Sequence, residues 1–322
     1  MNGHEADRAA AFELICEREA LAPAFWDAQR RAKGEKGLFS RLTSRMRKAQ
    51  APKYQTMPAP AEGDLALDKH VAAERPELYV REDRIAVYTA VFGGYDELRQ
   101  PLLAPKNIDY FAFSDAELAK DGLWTQADAK LPEECVGDPV LSNRWCKMHP
   151  HLLFPAYDYS IYVDANIWVL SDLTPVAAGL DRYPIAMFRH KKRDCVYDEV
   201  QACIDQKKDA PAALRAHEQA LLAAGIPRHW GLVEAPVIAR KHHDERCIAL
   251  MEAWWETFRT HSRRDQLAFA QTLWSAGIEP ATIGTLGGNV SRCNLFLQMP
   301  HQTHDAPQLP TTLDELQSFV AS

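Results

Sequence analysis

Apolar and polar positions along this chain follow a helical period first and a strand period later. Phe12, Ile15, Cys16 and Ala20 recur at helical spacing, which predicts a helix over 8–22. Pro23 is expected to interrupt it and to open a second helix carrying Phe25 and Trp26. Residues 49–62 hold three prolines and no apolar period, the composition of a linker. A further short helix is expected over 64–75, closed by Pro76.

From Arg84 the pattern changes. IAVYTAVF (85–92) is a β-branched and aromatic run that meets Gly93-Gly94, so it reads as a buried strand entering a loop. Similar runs predict strands over 108–114, 159–166, 184–190 and 235–240. Helices are expected over 141–149, 194–206, 209–224, 243–260 and 264–276. Strands interleaved with helices predict an α/β domain whose mainly parallel sheet is flanked by helices on both faces. Ligands bind such sheets beyond the carboxyl ends of the strands. Three of these strands finish in groups suited to ligand binding, namely the glycine turn, Asp115, and Asp164 to Asn166.

Charge adds one feature. Net charge is −7, yet residues 30–53 hold nine basic residues and one acid, so the remainder carries −15. An acidic body argues against nucleic-acid binding. The basic arm, with Leu38, Phe39, Leu42 and Met46 on one helical face, predicts contact with an anionic membrane surface or an acidic polymer, a solvated arm packed on the acidic body being the alternative. No run approaches the ~18 apolar residues of a membrane span. The first residues are acidic and lack the apolar run of a signal peptide, which predicts a cytoplasmic protein, membrane-associated through 30–53. Seven cysteines with no CxxC pair predict buried free thiols and no disulfide framework or zinc site.

The candidate chemistry lies at the strand ends. Asp164 and Asn166 offer the oxygen ligands that Mg²⁺ or Mn²⁺ prefer, and on one strand face both could reach one ion; a plain turn is the alternative. The turn at Gly93 and Gly94 would let backbone N–H groups approach a nucleotide, or is a plain tight turn. Arg144 and Lys147, three apart on a helix, form a cationic face suited to a diphosphate or simply to solvent. His190 and Arg193 follow the fourth strand, where they suit sugar hydroxyls or phosphate, a solvated basic loop being the alternative. Asp265 and Gln266 open a helix, where Asp265 is either a cap or a functional carboxylate.

Taken together, IAVYTAVFGGYDEL, YFAFSD, NRWCKMHPHLLFPAYDYSIYVDANI, FRHKKRDCVYDE, GLVEAPVIAR, the tryptophan pair at 254–255 and SRRDQ resemble one family. It comprises glycosyltransferases that include plant mucilage-related and turgor-regulation-defect proteins and bacterial polysaccharide-locus proteins. The resemblance covers roughly residues 84–275. It implies a GT-A-like (Rossmann-type) domain over 84–305, between a helical, basic N-terminal extension (1–80) and a C-terminal tail (306–322). It implies a nucleotide-sugar donor, a polysaccharide or glycolipid acceptor, and a divalent cation, Mn²⁺ or Mg²⁺. Asp164 and Asn166 then look like a DxD-type metal motif, with His301 or His304 completing the shell. Thr89, Phe92, Gly93, Tyr95, Asp115, Arg144, Lys147 and Gln266 would hold the donor. Asp265, His190 and Arg193 would be the catalytic group, Asp265 orienting a sugar hydroxyl or acting as general base. Two other classes stay open: a hydrolase of a lipid amide or glycan, although HExxH and GxSxG motifs are absent, and a non-catalytic carbohydrate-binding protein.

Overall fold

The computed structural model describes residues 3–34, 54–58, 65–301 and 309–322. Of the basic arm at 30–53, residues 30–34 end the first helix, and 35–53 lie outside the described residues, as does His304.

Seven strands form the main sheet: β1 (Ile85–Val91), β2 (Ile108–Ser114), β3 (Thr125–Gln126), β4 (Tyr159–Val163), β6 (Ile185–Arg189), β7 (Val233–Arg240) and β8 (Gly284–Gly287). Their order is β3-β2-β1-β4-β7-β6-β8. β7 is antiparallel to β4 and β6, and the other pairings are parallel. The sheet is thus mixed and mainly parallel. β5 (Ile167–Val169) and β9 (Phe296–Gln298) form a separate antiparallel pair.

Strand alternation builds two cores. Ile85, Val87, Ile161 and Val163 point to one face, where Val176 and Ala177 of a short helix (Thr174–Ala178) cover them. Ala86, Tyr88, Ala90 and Tyr162 point to the other. There they meet the helices Pro139–Met148, Glu245–Thr260 and Asp265–Ser275 through Trp145, Met251, Trp254 and Phe269. Both faces of the sheet are buried, which is why β1 reads as a continuous apolar run. No described helix is long and apolar enough to cross a membrane.

Several expectations change. The first helix runs unbroken from Gly3 to Gly34 through Pro23. Proline removes one backbone hydrogen bond there, but Leu21, Ala22 and Phe25 are buried against Trp168, Leu297 and Leu316, and that docking holds the helix together. Leu316 belongs to a helix over Leu313–Ala321 that the sequence pattern does not predict. Glu19, fully buried, accepts from Ala72 N at 2.8 Å and ties the first helix to the short helix Val71–Glu74. The N-terminal helix and C-terminal helix therefore pack on the domain body and on each other. The strand expected over 159–166 stops at Val163, because Ile167 N bonds to Asp164 O at 2.8 Å and closes a turn.

Candidate active site

The carboxyl ends of β1, β4 and β6 and the start of β7 meet at one edge of the sheet. β7 runs against its neighbours, so its first residues, and not its last, arrive at this edge. Asp164 N bonds to Pro236 O at 2.8 Å, stitching the end of β4 to the start of β7. A cavity of about 540 Å³ opens there. Its wall carries eight lysines and arginines against six aspartates and glutamates, a positive balance in a chain of net charge −7.

Its floor is a buried ion network. Lys147 Nζ sits 2.8 Å from Asp265 Oδ2 and 3.4 Å from Asp164 Oδ1. Arg144 Nε is 3.1 Å from the same Asp265 oxygen. Both cations come from the helix Pro139–Met148, which starts with Asp138 accepting from Val140 N and Leu141 N. Fully buried Arg240 donates to Lys147 O at 2.6 Å and to Tyr88 Oη at 2.6 Å, fixing that helix on β1 and β7. Trp254 Nε1 donates to Asp265 O at 2.8 Å and sets where the next helix begins.

Asp265 is the first residue of its helix, and the N-cap position is Arg264, whose side chain makes no capping bond. Burial alone would raise the Asp265 carboxyl, but Arg144, Lys147 and Arg264 hold it far below the usual carboxylate range. It is ionised at every ordinary pH. Its partners are cations, so its direct effect is to orient Arg144 and Lys147. Gln266 also lines the cavity, and its Nε2 is buried with no partner among the described residues.

Two further walls complete the site. Phe92, Tyr95 and Asp96 follow β1. Gly93 takes φ +69°, and its N–H donates to Asp115 Oδ2 at 2.8 Å. Asp115 thus braces the glycine turn from outside the cavity lining. His301 faces the same space, its Nδ1 bonded to Asp96 Oδ2 at 2.9 Å, and that bond lifts its basicity. Opposite, His190 Nδ1 accepts from Arg193 N at 3.0 Å, and burial keeps its imidazole neutral, with the pKa lowered to about 4. Arg193 pairs with buried Glu199, which also lies 3.5 Å from His190 Nε2.

The structure gathers Asp164, Arg144, Lys147, Asp265, Gln266, His190, Arg193, Phe92, Tyr95 and His301 around this one cavity. Four residues stand outside its lining, among them Gly93, whose N–H is taken by Asp115 and not offered to the cavity. Thr89 is fully buried inside the sheet. Asp115 acts through Gly93. Asn166 is turned away by the tight turn after β4, and its Nδ2 donates to Met299 O at 2.8 Å. The strand-face argument that joins Asp164 and Asn166 fails because no strand continues between them.

Glu234 is the residue that sequence reasoning misses. It is 7 % exposed, lines the cavity, and has a buried Oε1 with no hydrogen-bond partner among the described residues. Burial pushes its carboxyl up to about 7, with Lys191 acting in the opposite direction. Lys191 is itself held by Ser291 Oγ at 2.7 Å and Gln298 Oε1 at 2.6 Å.

A family model described as the TOD1/MUCI70 glycosyltransferase-like domain matches residues 70–301. The chain belongs to this family. The fold is α/β with a mixed, mainly parallel sheet, and the matched domain is glycosyltransferase-like. Among solved structures, the chain is similar to one described as the apo form of the bifunctional glycosyltransferase WbbM, at 11 % identity and a TM-score of 0.39. That likeness covers 61 % of this chain and 38 % of the other. No curated protein matches.

Proposed function

We propose that this domain transfers a sugar from a nucleotide-sugar donor to a glycan or glycolipid acceptor, with a divalent cation assisting. The observation that carries this reading is the Lys147 bridge between Asp265 and Asp164 on the floor of a net-positive cavity at the strand ends. A diphosphate is the ligand such a floor fits: fixed cations for its oxygens, and a carboxylate that can share an ion with it.

Asp164 and His301 both line the cavity, and a carboxylate oxygen with an imidazole nitrogen is a donor set that Mn²⁺ or Mg²⁺ could share with phosphate and water. The Asp96 bond occupies His301 Nδ1 and leaves Nε2 as the ligand atom, in the usual arrangement of a carboxylate behind a ligating histidine. Two protein ligands suffice for an ion that takes its remaining oxygens from phosphate and water. When bound, the cation stabilises charge on the departing nucleoside diphosphate.

The chain's own residues do the rest. Arg144 and Lys147, held in place by Asp265, offer positive charge to the diphosphate in a buried setting where it counts most. Phe92 and Tyr95 flank the nucleoside, on a turn that Asp115 braces. Gln266 Nε2 donates to the ligand. His190 and Arg193 shape the opposite wall through Glu199. Glu234, with a carboxyl poised near neutrality, is the group suited to take or hold a proton at the sugar.

The reading is tested by nucleotide release from nucleotide sugars with Mn²⁺, comparing wild type with Asp164→Ala. Turnover is expected to fall by at least about a hundredfold in the variant, with the fold retained because Asp164 is a third exposed and packs no core. Wild-type turnover in Asp164→Ala would remove this residue from the chemistry.

A further inference from the structure

A second cluster lies beside the cavity and takes no part in it. Among the described residues, Cys195, Asp198 and His229 form the one set of three donors whose ligand atoms all fall within 4.8 Å of one another. Cys195 is buried and sits at the N-cap of the helix Val196–Asp205, and Asp198 lies in its first turn. His229 comes from the loop before β7. We infer that these three side chains bind one zinc-class ion, separate from the cation proposed for the donor.

Three observations support a built site. First, the donors are chemically matched. A thiolate, an imidazole and a carboxylate select Zn²⁺ over Mg²⁺ or Mn²⁺, and three protein ligands leave one position for water. Second, the histidine is already oriented. Its Nδ1 lies 2.7 Å from Asp194 Oδ1, and Asp194 is itself buried. With Asp194 accepting a hydrogen bond from Nδ1–H, Nε2 keeps its lone pair for a metal. Third, His229 adopts φ +58°, a left-handed conformation that costs a non-glycine residue energy and here carries the ring to Asp194. Binding would displace the thiol proton to solvent.

The position shows what the ion would hold in place. Gly231 N bonds to Asp194 O at 2.9 Å, and His190 N bonds to Leu232 O at 2.9 Å. The loop after β6 and the loop before β7 are thus laced together. The first carries His190 and Arg193, and the second runs straight into Glu234. An ion held by Cys195, Asp198 and His229 would clamp both loops and fix one wall of the cavity. This inference does not depend on what the cavity binds.

The test is zinc binding by the full-length chain after treatment with a chelator, read by competition with a chromophoric chelator, and by Co²⁺ substitution. One equivalent of Zn²⁺ is expected, and the Co²⁺ form should show thiolate-to-cobalt charge transfer. Cys195→Ser should abolish that band. His229→Asn, which keeps a residue at ease with positive φ, should weaken zinc binding by at least about tenfold, and Asp194→Asn by about 10–100-fold. Asp164→Asn should leave zinc binding unchanged. His229 is exposed, so its variant decides the matter if Cys195→Ser does not fold. Absence of stoichiometric zinc binding would overturn the inference. So would binding that survives His229→Asn, or binding lost only in Asp164→Asn, which would place the ion in the main cavity.

Discussion

Glu234 and Asp265 are both buried carboxylates in one cavity, and their surroundings drive them apart. Asp265 faces Arg144 and Lys147 and stays ionised. Glu234 has a bare Oε1 and titrates near neutrality. Two carboxyls pushed in opposite directions by environment have different work to do. Glu234→Gln is expected to lower turnover by about 10²–10⁴-fold. If Glu234 is the base, wild-type activity should rise with pH through about 7, and that limb should vanish in the variant. Stability should move the other way. A carboxyl raised on folding stabilises the fold fully below its unfolded value, and that contribution is lost as pH rises through about 7. Wild type should therefore lose stability relative to Glu234→Gln between mildly acidic and neutral pH, measured by denaturant unfolding at several pH values. Asp265→Asn makes a different prediction. It leaves Lys147 and Arg144 facing an uncharged amide, and removing one partner of a buried pair costs ~3–5 kcal/mol. Its melting temperature and its turnover should fall together. An unchanged melting temperature would mean that the network is not the anchor described above.

Elements with a strong apolar period are legible in the sequence, and elements that owe their shape to partners are not. β1 and β4 declare themselves through continuous β-branched and aromatic runs. β8 is Gly284-Thr-Leu-Gly287, and its glycines erase any strand signal. Gly284 is needed because a Cβ there would come within 2.9 Å of Ile185 O, so close approach, not propensity, decides this strand. The candidate site follows the same division. Asp164, Arg144, Lys147 and Asp265 can be picked out because they end strands, share a helix face or open a helix. Glu234 escapes notice because residues that begin a strand belong to the far edge of a parallel sheet, and strand direction is not written in periodicity. Pro23 misleads for a related reason: the first helix is held by tertiary burial, which overrides a lost hydrogen bond. Phe25 is 1 % exposed within that contact. Phe25→Ala should therefore destabilise the domain by ~3–5 kcal/mol in denaturant unfolding. A body that unfolds at the wild-type midpoint would show that the helix is only an appendage.

At the scale of the whole molecule, the acidic chain concentrates positive charge at one edge of the sheet. The mixed sheet places that charge by geometry: parallel strands deliver Asp164 and the His190 loop to one edge, and the reversed β7 delivers Glu234 to the same edge. Helices on the second face supply the cations, fixed by Arg240 and Trp254. The central claim is that this edge binds a nucleoside diphosphate together with a divalent cation. The most direct test is thermal unfolding of the full chain with UDP, GDP, CDP or ADP, each with and without Mn²⁺. One nucleotide is expected to stabilise the fold by ~2.7 kcal/mol at a hundredfold excess over its dissociation constant. The gain should require Mn²⁺ and disappear in Asp164→Ala. A melting temperature that none of the four nucleotides moves, with Mn²⁺ present, would contradict the account.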